Sequence, residues 1–167
     1  ESIRPSSKMI FDVHMMVNNP ARFIDRMKLD NGDIICVHYE ADENVGKTLE
    51  LIRESGCQAG LAINPTTPLS CLEGFTDSID MALIMTVEPG FGGQSLIPET
   101  LEKISKLRKY ANERGIALDI EVDGGINAET APLAVAAGAN VLVAGNFLFS
   151  ADDMGAKVRE IKDTKND

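Results

Sequence analysis

The sequence is poor in several features that mark common function classes. It has no tryptophan and only two tyrosines in 167 residues, so it offers little for base stacking or for a flat protein interface. Lysine and arginine number 16 against 26 aspartates and glutamates, which gives a formal charge of −10. Broad phosphate binding needs clustered basic residues, so we expect no nucleic-acid partner.

Long apolar runs and paired cysteines are also missing. No stretch approaches the ~20 residues that span a bilayer, and the first residues, ESIRPSSK, lack the charged-then-apolar order of a signal peptide. We therefore expect a cytoplasmic protein with no membrane partner. Cys36, Cys57 and Cys71 are odd in number and lack CxxC spacing, which favours free, mostly buried thiols over a disulfide or a zinc site.

What the sequence does have is a regular alternation of short apolar runs and longer segments of helical period. This alternation is typical of parallel βα units, and the length predicts one domain, 1–167. The predicted strands are the six runs 9–17, 33–41, 58–64, 81–90, 118–127 and 140–149. The predicted helices are the five segments 20–29, 43–56, 97–115, 127–138 and 150–162.

Polar residues recur near the carboxyl ends of the predicted strands. They are spaced 24, 26, 24, 35 and 23 residues apart: His14, His38, Asn64, Glu88, Asp123 and Asn146. Functional groups gather at the carboxyl ends of the strands in a TIM (β/α)8 barrel. The spacing therefore favours that fold, with a doubly wound open sheet as the structural alternative.

The number of predicted units is too small for a closed barrel. A complete barrel has eight strands and about 250 residues, so six units leave it open. Phosphate sites in such barrels lie after strands seven and eight, and the last two runs here end in the glycine turns DGGI and AGNF. We therefore predict an incomplete TIM (β/α)8 barrel of the phosphate-binding type, with only βα units 3 to 8 present.

The run TVEPGFGGQ, residues 86–94, places three glycines shortly after the apolar run MALIM, residues 81–85. Glycine lets a ligand approach the backbone closely, so the N–H groups of neighbouring glycines can bind a phosphate. A lone turn of this kind is usually an ordinary loop. Two further strands end in Gly124-Gly125 and Gly145, and the latter can open a short, anion-attracting helix. Three such turns favour a phosphate pocket.

His14 lies in FDVHMM, where strand alternation places Asp12, His14 and Met16 on the inner face of the barrel. An imidazole near the barrel mouth can ligate a metal or move a proton, although a lone strand histidine is more often a core residue. His38 with Glu40 poses the same choice, and we interpret this pair as a hydrogen-bonded support.

Asp123, in IEVDGG, shares the inner face with Glu121. A carboxylate at a strand end can bind a metal or act as acid and base, or it can simply order a turn. Buried carboxylates are costly, so two on one inner face favour a function. Met16 and Met85 are weaker candidates, because each is either plain core or part of a ligand pocket.

Four motifs taken together resemble one family. DVHMMV, LAINPTTP, MALIMTVEPGFGGQ and EVDGGIN occur in the order and at the spacing of ribulose-phosphate 3-epimerases, over essentially the whole chain. The resemblance implies a metal-dependent TIM-barrel isomerase of the pentose phosphate pathway. Such an enzyme interconverts D-ribulose 5-phosphate and D-xylulose 5-phosphate by two-base proton transfer at C3, through an enediolate.

The resemblance also implies roles for individual residues. His14 and Asp123 would be ligands of one divalent metal ion, zinc or iron, with manganese or cobalt as further options. Asp123 would also be one of two aspartates that exchange the C3 proton. The substrate-binding residues would be His14, Met16, Met85, Gly90, Phe91, Gly92, Gly93, Asp123, Gly124, Gly125, Gly145 and Asn146.

The sequence departs from the family pattern in two respects. Nothing in it matches the second-strand motif H-x-D-x-M-D-G, which supplies the other histidine and aspartate of the metal site, or the serine of the first strand. Gly145-Asn146 replaces the more usual Gly-Ser, which leaves the backbone donors in place. We therefore expect the 167-residue chain alone to bind metal weakly and to be nearly inactive.

Two other functions stay open at this point. One is a non-catalytic phosphosugar-binding subunit, and the other is an epimerase of a six-carbon ketose phosphate such as allulose 6-phosphate. An open barrel edge would expose unpaired strands, so we also expect a homo-oligomer.

Overall fold

The computed structural model describes residues 3–163. Six strands form one sheet in which each neighbouring pair is parallel: β1 Asp12–Met15, β2 Ile34–His38, β3 Gln58–Ile63, β4 Met81–Met85, β5 Asp119–Asp123 and β6 Val141–Val143. All six predicted strands are confirmed. Each is shorter than its predicted run, because the runs also include residues of the flanking turns.

The helices lie between and after the strands. They are α1 Ala21–Ile24, α2 Val45–Glu54, α3 Ser70–Glu73, α4 Glu99–Arg114, α5 Thr130–Ala137, α6 Gly145–Phe149 and α7 Met154–Lys162. Asn44 starts α2 by accepting a hydrogen bond from the Lys47 backbone N–H. Gly115 ends α4 in the left-handed conformation, with a φ of 66°.

Two helix predictions need correction. Only Ala21–Ile24 of the predicted segment 20–29 is helical, because Met27 and Leu29 pack against the core from an irregular segment. The four-residue helix Ser70–Glu73 was not predicted, since a single turn carries no measurable helical period.

The order of the strands decides between the two α/β architectures. Across residues 3–163 the spatial order β1-β2-β3-β4-β5-β6 is also the chain order, without a reversal. A doubly wound sheet reverses its strand order at a switch point. The six strands instead form a curled half-barrel.

Side-chain alternation along the strands gives the half-barrel two separate cores. On β4, Ala82 and Ile84 face the helices, whereas Met81, Leu83 and Met85 form the inner cluster. The predicted facing of β1 is confirmed, because Met15 is buried in the outer core. The inner face therefore belongs to the alternate residues, and the carboxyl ends of the strands meet at one rim.

The three cysteines are free, as the sequence predicts. Cys36 and Cys57 are buried and Cys71 is half-buried. In the described part of the chain, no helix combines the length and the apolar character needed to cross a membrane.

A buried ion pair ties the first described residues to the start of β2. Arg4 pairs with Asp33, whose side chain is only 3% exposed, and Asp33 also accepts hydrogen bonds from the backbone N–H groups of Phe11 and Asp30 at 2.8 Å each. Burial alone would raise the pKa of Asp33, but these hydrogen bonds and the Arg4 guanidinium outweigh it and hold that pKa below its usual range.

Replacing Asp33 with asparagine is expected to lower the free energy of unfolding by about 3 kcal/mol, because Arg4 loses its buried partner. Since the folded-state pKa is depressed, the stability that Asp33 contributes is present above the ordinary pKa of 3.8 and is lost as the pH falls through the folded-state value. Urea unfolding of wild type and of Asp33→Asn, from about pH 7 down to about pH 3, measures the loss of unfolding free energy and its dependence on pH.

Asp30→Asn is the matched control. Asp30 also approaches Arg4, at 3.4 Å, but its side chain is 71% exposed, and exposed pairs contribute about 0 to 1 kcal/mol. Equal losses for the two variants would contradict the assignment of the stabilising contact to Asp33.

Candidate active site

A cleft of about 790 Å³ opens at the carboxyl rim of the half-barrel. Eleven of the twelve predicted substrate-binding residues line it: Met16, Met85, Gly90, Phe91, Gly92, Gly93, Asp123, Gly124, Gly125, Gly145 and Asn146. The twelfth, His14, adjoins the cleft through Asp123. The structure thus brings the predicted residues to one place, and their roles in binding stay predictions.

The turn after β4 is closed by one of its own side chains, Gln94. The Gln94 amide donates to the carbonyl oxygens of Glu88 and Phe91, each at 2.8 Å. Gly90 and Gly93 have φ values of 131° and 76°, which residues with a Cβ rarely adopt. The sequence needs glycine at these two positions so that the chain can turn along the wall of the cleft.

Thr86 joins the end of β4 to the turn after β5. It is fully buried, its backbone N–H donates to the Asp123 carbonyl at 2.8 Å, and its hydroxyl donates to the Gly124 carbonyl at 2.6 Å. The carbonyl of Thr86 in turn accepts from the backbone N–H of Ile97. One buried threonine therefore fixes the relative positions of two of the glycine turns.

The turn after β5 is packed too closely for side chains. A Cβ on Gly124 would lie 2.7 Å from Cγ1 of Val87, and one on Gly125 would lie 2.9 Å from Cα of Leu96. Both glycines have positive φ, 123° and 68°. Gly125 therefore packs against backbone and Gly124 against the Val87 side chain, and both contacts require glycine.

The third turn opens the predicted short helix, α6, at Gly145. Asn146 reaches the turn after β4, since a Cβ on Gly93 would lie 3.9 Å from its amide nitrogen. The three glycine turns that the sequence singled out therefore surround one cleft.

Two histidines and two carboxylates form a connected row beside the cleft. Nδ1 of His14 lies 3.4 Å from Oδ2 of Asp123, and Nε2 of His14 lies 2.8 Å from Nε2 of His38. The two rings stack, with centroids 4.9 Å apart. Nδ1 of His38 lies 3.2 Å from Oε2 of Glu40. The interpretation of His38 and Glu40 as a supporting pair agrees with this geometry.

The electrostatics of the row follow from burial. Burial, together with the nearby His14, lowers the pKa of His38. Burial opposes ionisation of Glu40, but hydrogen bonds from Asn64, Thr67 and His38 outweigh it and lower the pKa of Glu40. At neutral pH, Glu40 is therefore a carboxylate and accepts hydrogen bonds only.

Glu121 lies deeper on the inner face and pairs with Asp12, which is exposed at the start of β1. Glu121 is 2% exposed, and burial, reinforced by the Asp12 carboxylate, raises the pKa of Glu121 to about 9. Glu121 is therefore protonated at neutral pH and shares a hydrogen bond with Asp12. This neutral acid differs from Asp123, which is partly exposed at the cleft.

The donor set of the predicted metal site can be compared with the geometry. Imidazole and carboxylate are suitable ligand types, and two ligands of a tetrahedral zinc ion, each about 2 Å from it, lie about 3.3 Å apart. The 3.4 Å between His14 and Asp123 suits two such positions. Residues 3–163 contain no group of three or more His, Cys, Asp or Glu side chains arranged to hold a metal ion, so these residues fit part of such a site.

One residue that supports the row from a helix is not recognisable in the sequence. Lys103, on α4, donates to three carbonyl oxygens of the loop after β3: Asn64, Pro65 and Thr67. The motif LAINPTTP marks this loop, but nothing local to Lys103 distinguishes it from the other lysines of α4. Its role depends on contacts across at least 36 residues of chain.

The fold and the cleft define the class of this protein: a half-barrel of parallel βα units with a glycine-lined site at the carboxyl ends of its strands. Residues 1–149 match the model of the Ribulose-phosphate 3 epimerase family. The chain belongs to this family.

Individual relatives agree with this assignment. The chain is 43% identical over 166 residues to the ribulose-phosphate 3-epimerase of Bacillus subtilis strain 168, covering 99% of this chain and 76% of that protein. It is 43% identical over 151 residues to the Escherichia coli K12 ribulose-phosphate 3-epimerase, covering 90% and 67%. Among solved structures, a 3-hexulose-6-phosphate synthase superposes with a TM-score of 0.70 at 17% identity, covering 98% of this chain and 76% of the other, which shows a shared fold.

Proposed function

We propose that this protein epimerises a pentose 5-phosphate at C3 and so interconverts D-ribulose 5-phosphate and D-xylulose 5-phosphate. The observation that carries the proposal is the position of Asp123, whose carboxylate lines a cleft bounded by three glycine turns. Membership of the epimerase family supports the same reaction.

The glycine turns hold the phosphate in this proposal. Gly125 packs closely on the backbone at Leu96, Gly93 lies beside Asn146, and all four residues line the cleft. Glycine turns of this kind suit a group that needs several N–H donors. The phosphate takes no part in the chemistry. Its binding energy positions C3 next to Asp123.

Two methionines then shape the space for the sugar. Met85 is buried, with 2% exposure, and Met16 is 53% exposed at the rim. Both line the cleft. A thioether side chain adapts its shape to a ligand without competing for hydrogen bonds.

Asp123 exchanges the C3 proton on one face of the sugar. Removal of this proton, which lies next to a carbonyl, builds negative charge on oxygen and gives an enediolate. Reprotonation from the opposite face inverts C3 and needs a second acid. In the family pattern that acid belongs to the motif H-x-D-x-M-D-G, which has no counterpart in these 167 residues.

The family pattern also suggests which barrel strands β1 to β6 correspond to. We propose that β1 to β6 correspond to strands three to eight of a TIM (β/α)8 barrel, with residues 1–167 as one domain. The sequential parallel order and the glycine turns after β5 and β6 support it.

We further propose one divalent metal ion, zinc or iron, with manganese or cobalt as further options. His14 and Asp123 are suitable ligands by type and by spacing. When bound, such an ion would supply Lewis-acid stabilisation of the negative charge on the substrate oxygens. The protein is also proposed to be cytoplasmic and homo-oligomeric, the latter because β1 and β6 are edge strands in the described sheet.

The purified 167-residue chain is expected to epimerise D-ribulose 5-phosphate about 10² to 10⁴ times more slowly than the Bacillus subtilis relative, since a missing acid or base costs about that factor. A coupled assay for D-xylulose 5-phosphate, run on both proteins under the same conditions, measures the ratio. Equal rates would contradict the claim that these residues lack one member of the acid–base pair.

A non-catalytic phosphosugar-binding subunit is the second candidate, favoured by the lack of a three-ligand metal group in residues 3–163. Calorimetry with D-ribulose 5-phosphate, combined with deuterium uptake from solvent at C3, separates the candidates. Saturable binding without uptake would favour the binding subunit. Faster uptake with allulose 6-phosphate than with the pentose would favour the six-carbon epimerase.

A further inference from the structure

We propose that Lys103 is a positioning residue that acts at a distance on His14, through the loop after β3, Glu40 and His38. This inference rests on the proposed function, in which His14 belongs to the site. It concerns a residue on the outer helix α4 that does not line the cleft.

The first step is the hold of Lys103 on the loop. Its ammonium donates to the carbonyl oxygens of Pro65 at 2.7 Å, Thr67 at 2.6 Å and Asn64 at 3.3 Å. An ammonium has three N–H donors and no acceptor. The three carbonyl oxygens of this loop therefore occupy all the donors of Lys103. The three carbonyls lie in a tight turn, which the Thr67 N–H closes on the Asn64 carbonyl at 3.1 Å.

The turn then presents two donors to one carboxylate oxygen. Oε1 of Glu40 accepts from the Asn64 backbone N–H at 2.8 Å and from the Thr67 hydroxyl. The side-chain oxygen of Asn64 is buried and has no hydrogen-bond partner among the described residues. That side-chain oxygen therefore adds nothing to the hydrogen bonds by which Lys103 and Glu40 hold the turn.

The second oxygen of Glu40, Oε2, contacts the first of the two histidines, His38. A carboxylate accepts only, so the 3.2 Å contact with Nδ1 of His38 places a proton on that nitrogen. In the neutral ring, Nε2 of His38 is then an acceptor. The 2.8 Å contact between the two Nε2 atoms consequently places a proton on Nε2 of His14.

The result is a defined tautomer of His14. With its proton on Nε2, His14 turns Nδ1 towards Oδ2 of Asp123, 3.4 Å away, and in a neutral ring that nitrogen is an acceptor. Two acceptors facing each other need a proton or a cation between them. A ligating histidine has this arrangement when its other ring nitrogen donates to a partner. Lys103 thus prepares the donor atom of His14 without touching it.

The chain contains only two histidines, which makes a direct test possible. Long-range proton–nitrogen NMR of the whole chain, labelled with ¹⁵N-histidine at neutral pH, reports which ring nitrogen carries the proton. Wild type is expected to show His38 protonated at Nδ1 and a proton on Nε2 of His14. In Lys103→Met, His38 is expected to lose the pure Nδ1–H signature and move towards the Nε2–H form.

Lys106→Met is the matched control. Lys106 lies one turn further along α4, pairs with Glu102 at 2.8 Å and is 64% exposed. It is expected to leave both histidine tautomers unchanged. Wild-type tautomers in Lys103→Met, or equal shifts in the two variants, would overturn the proposal.

A second variant keeps the test informative if Lys103→Met does not fold. Thr67→Val removes the hydroxyl donor to Glu40 and keeps the side-chain shape. A shift of His38 away from Nδ1–H in this variant supports the link from the loop through Glu40 to His38, and an unchanged spectrum overturns the proposal, which depends on that link. Because the readout is spectroscopic, a chain with the expected tautomers and no epimerisation would count against the proposed function alone.

Discussion

Asp123→Asn is expected to lower the rate of deuterium uptake at C3 of D-ribulose 5-phosphate by about 10² to 10⁴ relative to the same chain with Asp123, because asparagine accepts no proton at the mouth of the cleft. The carboxylate is 25% exposed and next to His14, so the amide fits the same space. Binding of the phosphosugar by calorimetry is expected to change little, since the glycine turns are untouched. Proton NMR of the substrate in D2O measures the exchange rate.

Glu88→Gln is the matched control for Asp123→Asn. Glu88 also lines the cleft and its side chain is exposed, so this variant removes one negative charge from the same site. Its exchange rate is expected to stay close to that of wild type. If the exchange rate falls by the same factor in both variants, the effect comes from the charge of the cleft. The assignment of Asp123 as a proton carrier is then wrong.

Gly125→Ala is expected to lower the free energy of unfolding by about 2 to 5 kcal/mol, from backbone strain and overpacking together. Gly125 has a φ of 68°, and an added Cβ would lie 2.9 Å from backbone carbons of both Ser95 and Leu96. Main-chain atoms cannot swing aside as a flexible side chain can, so the turn after β4 must move. Urea unfolding and calorimetry with inorganic phosphate are expected to show lower stability and weaker binding.

Gly74→Ala is the control for this substitution. Gly74 follows α3 with a φ of −70°, and a Cβ there would meet nothing within 4 Å. It is expected to be close to neutral. Unchanged phosphate binding in a folded Gly125→Ala protein would show that the contact between the two turns does not shape the phosphate site.

The sequence predicts the parts of this site that depend on local patterns. The period of two along a strand places His14 and Asp123 on the inner face. The parallel βα rhythm brings the carboxyl ends of the strands to one rim. The glycines of 90–93 and Gly124-Gly125 were recognisable because positive φ and close backbone approach demand this residue. In the structure the glycines and Asp123 line one cleft, and His14 adjoins that cleft through Asp123.

The parts that could not be predicted depend on contacts between distant elements. The stacking of His14 on His38 follows from the register of β1 on β2, in which His14 lies opposite Cys36, and a sequence does not state this register. The hold of Lys103 on the loop after β3 depends on how α4 packs beside that loop. Nothing distinguishes Lys103 from Lys106 in a helical pattern, although one is half-buried and the other exposed.

Proton NMR of D-ribulose 5-phosphate in D2O with the wild-type chain tests the proposed reaction most directly, because it follows C3 itself. We expect slow loss of the C3 proton signal, the growth of D-xylulose 5-phosphate carrying deuterium at C3, and a rate above that of Asp123→Asn. A substrate that binds saturably yet keeps its C3 proton at the rate of the enzyme-free solution would contradict it.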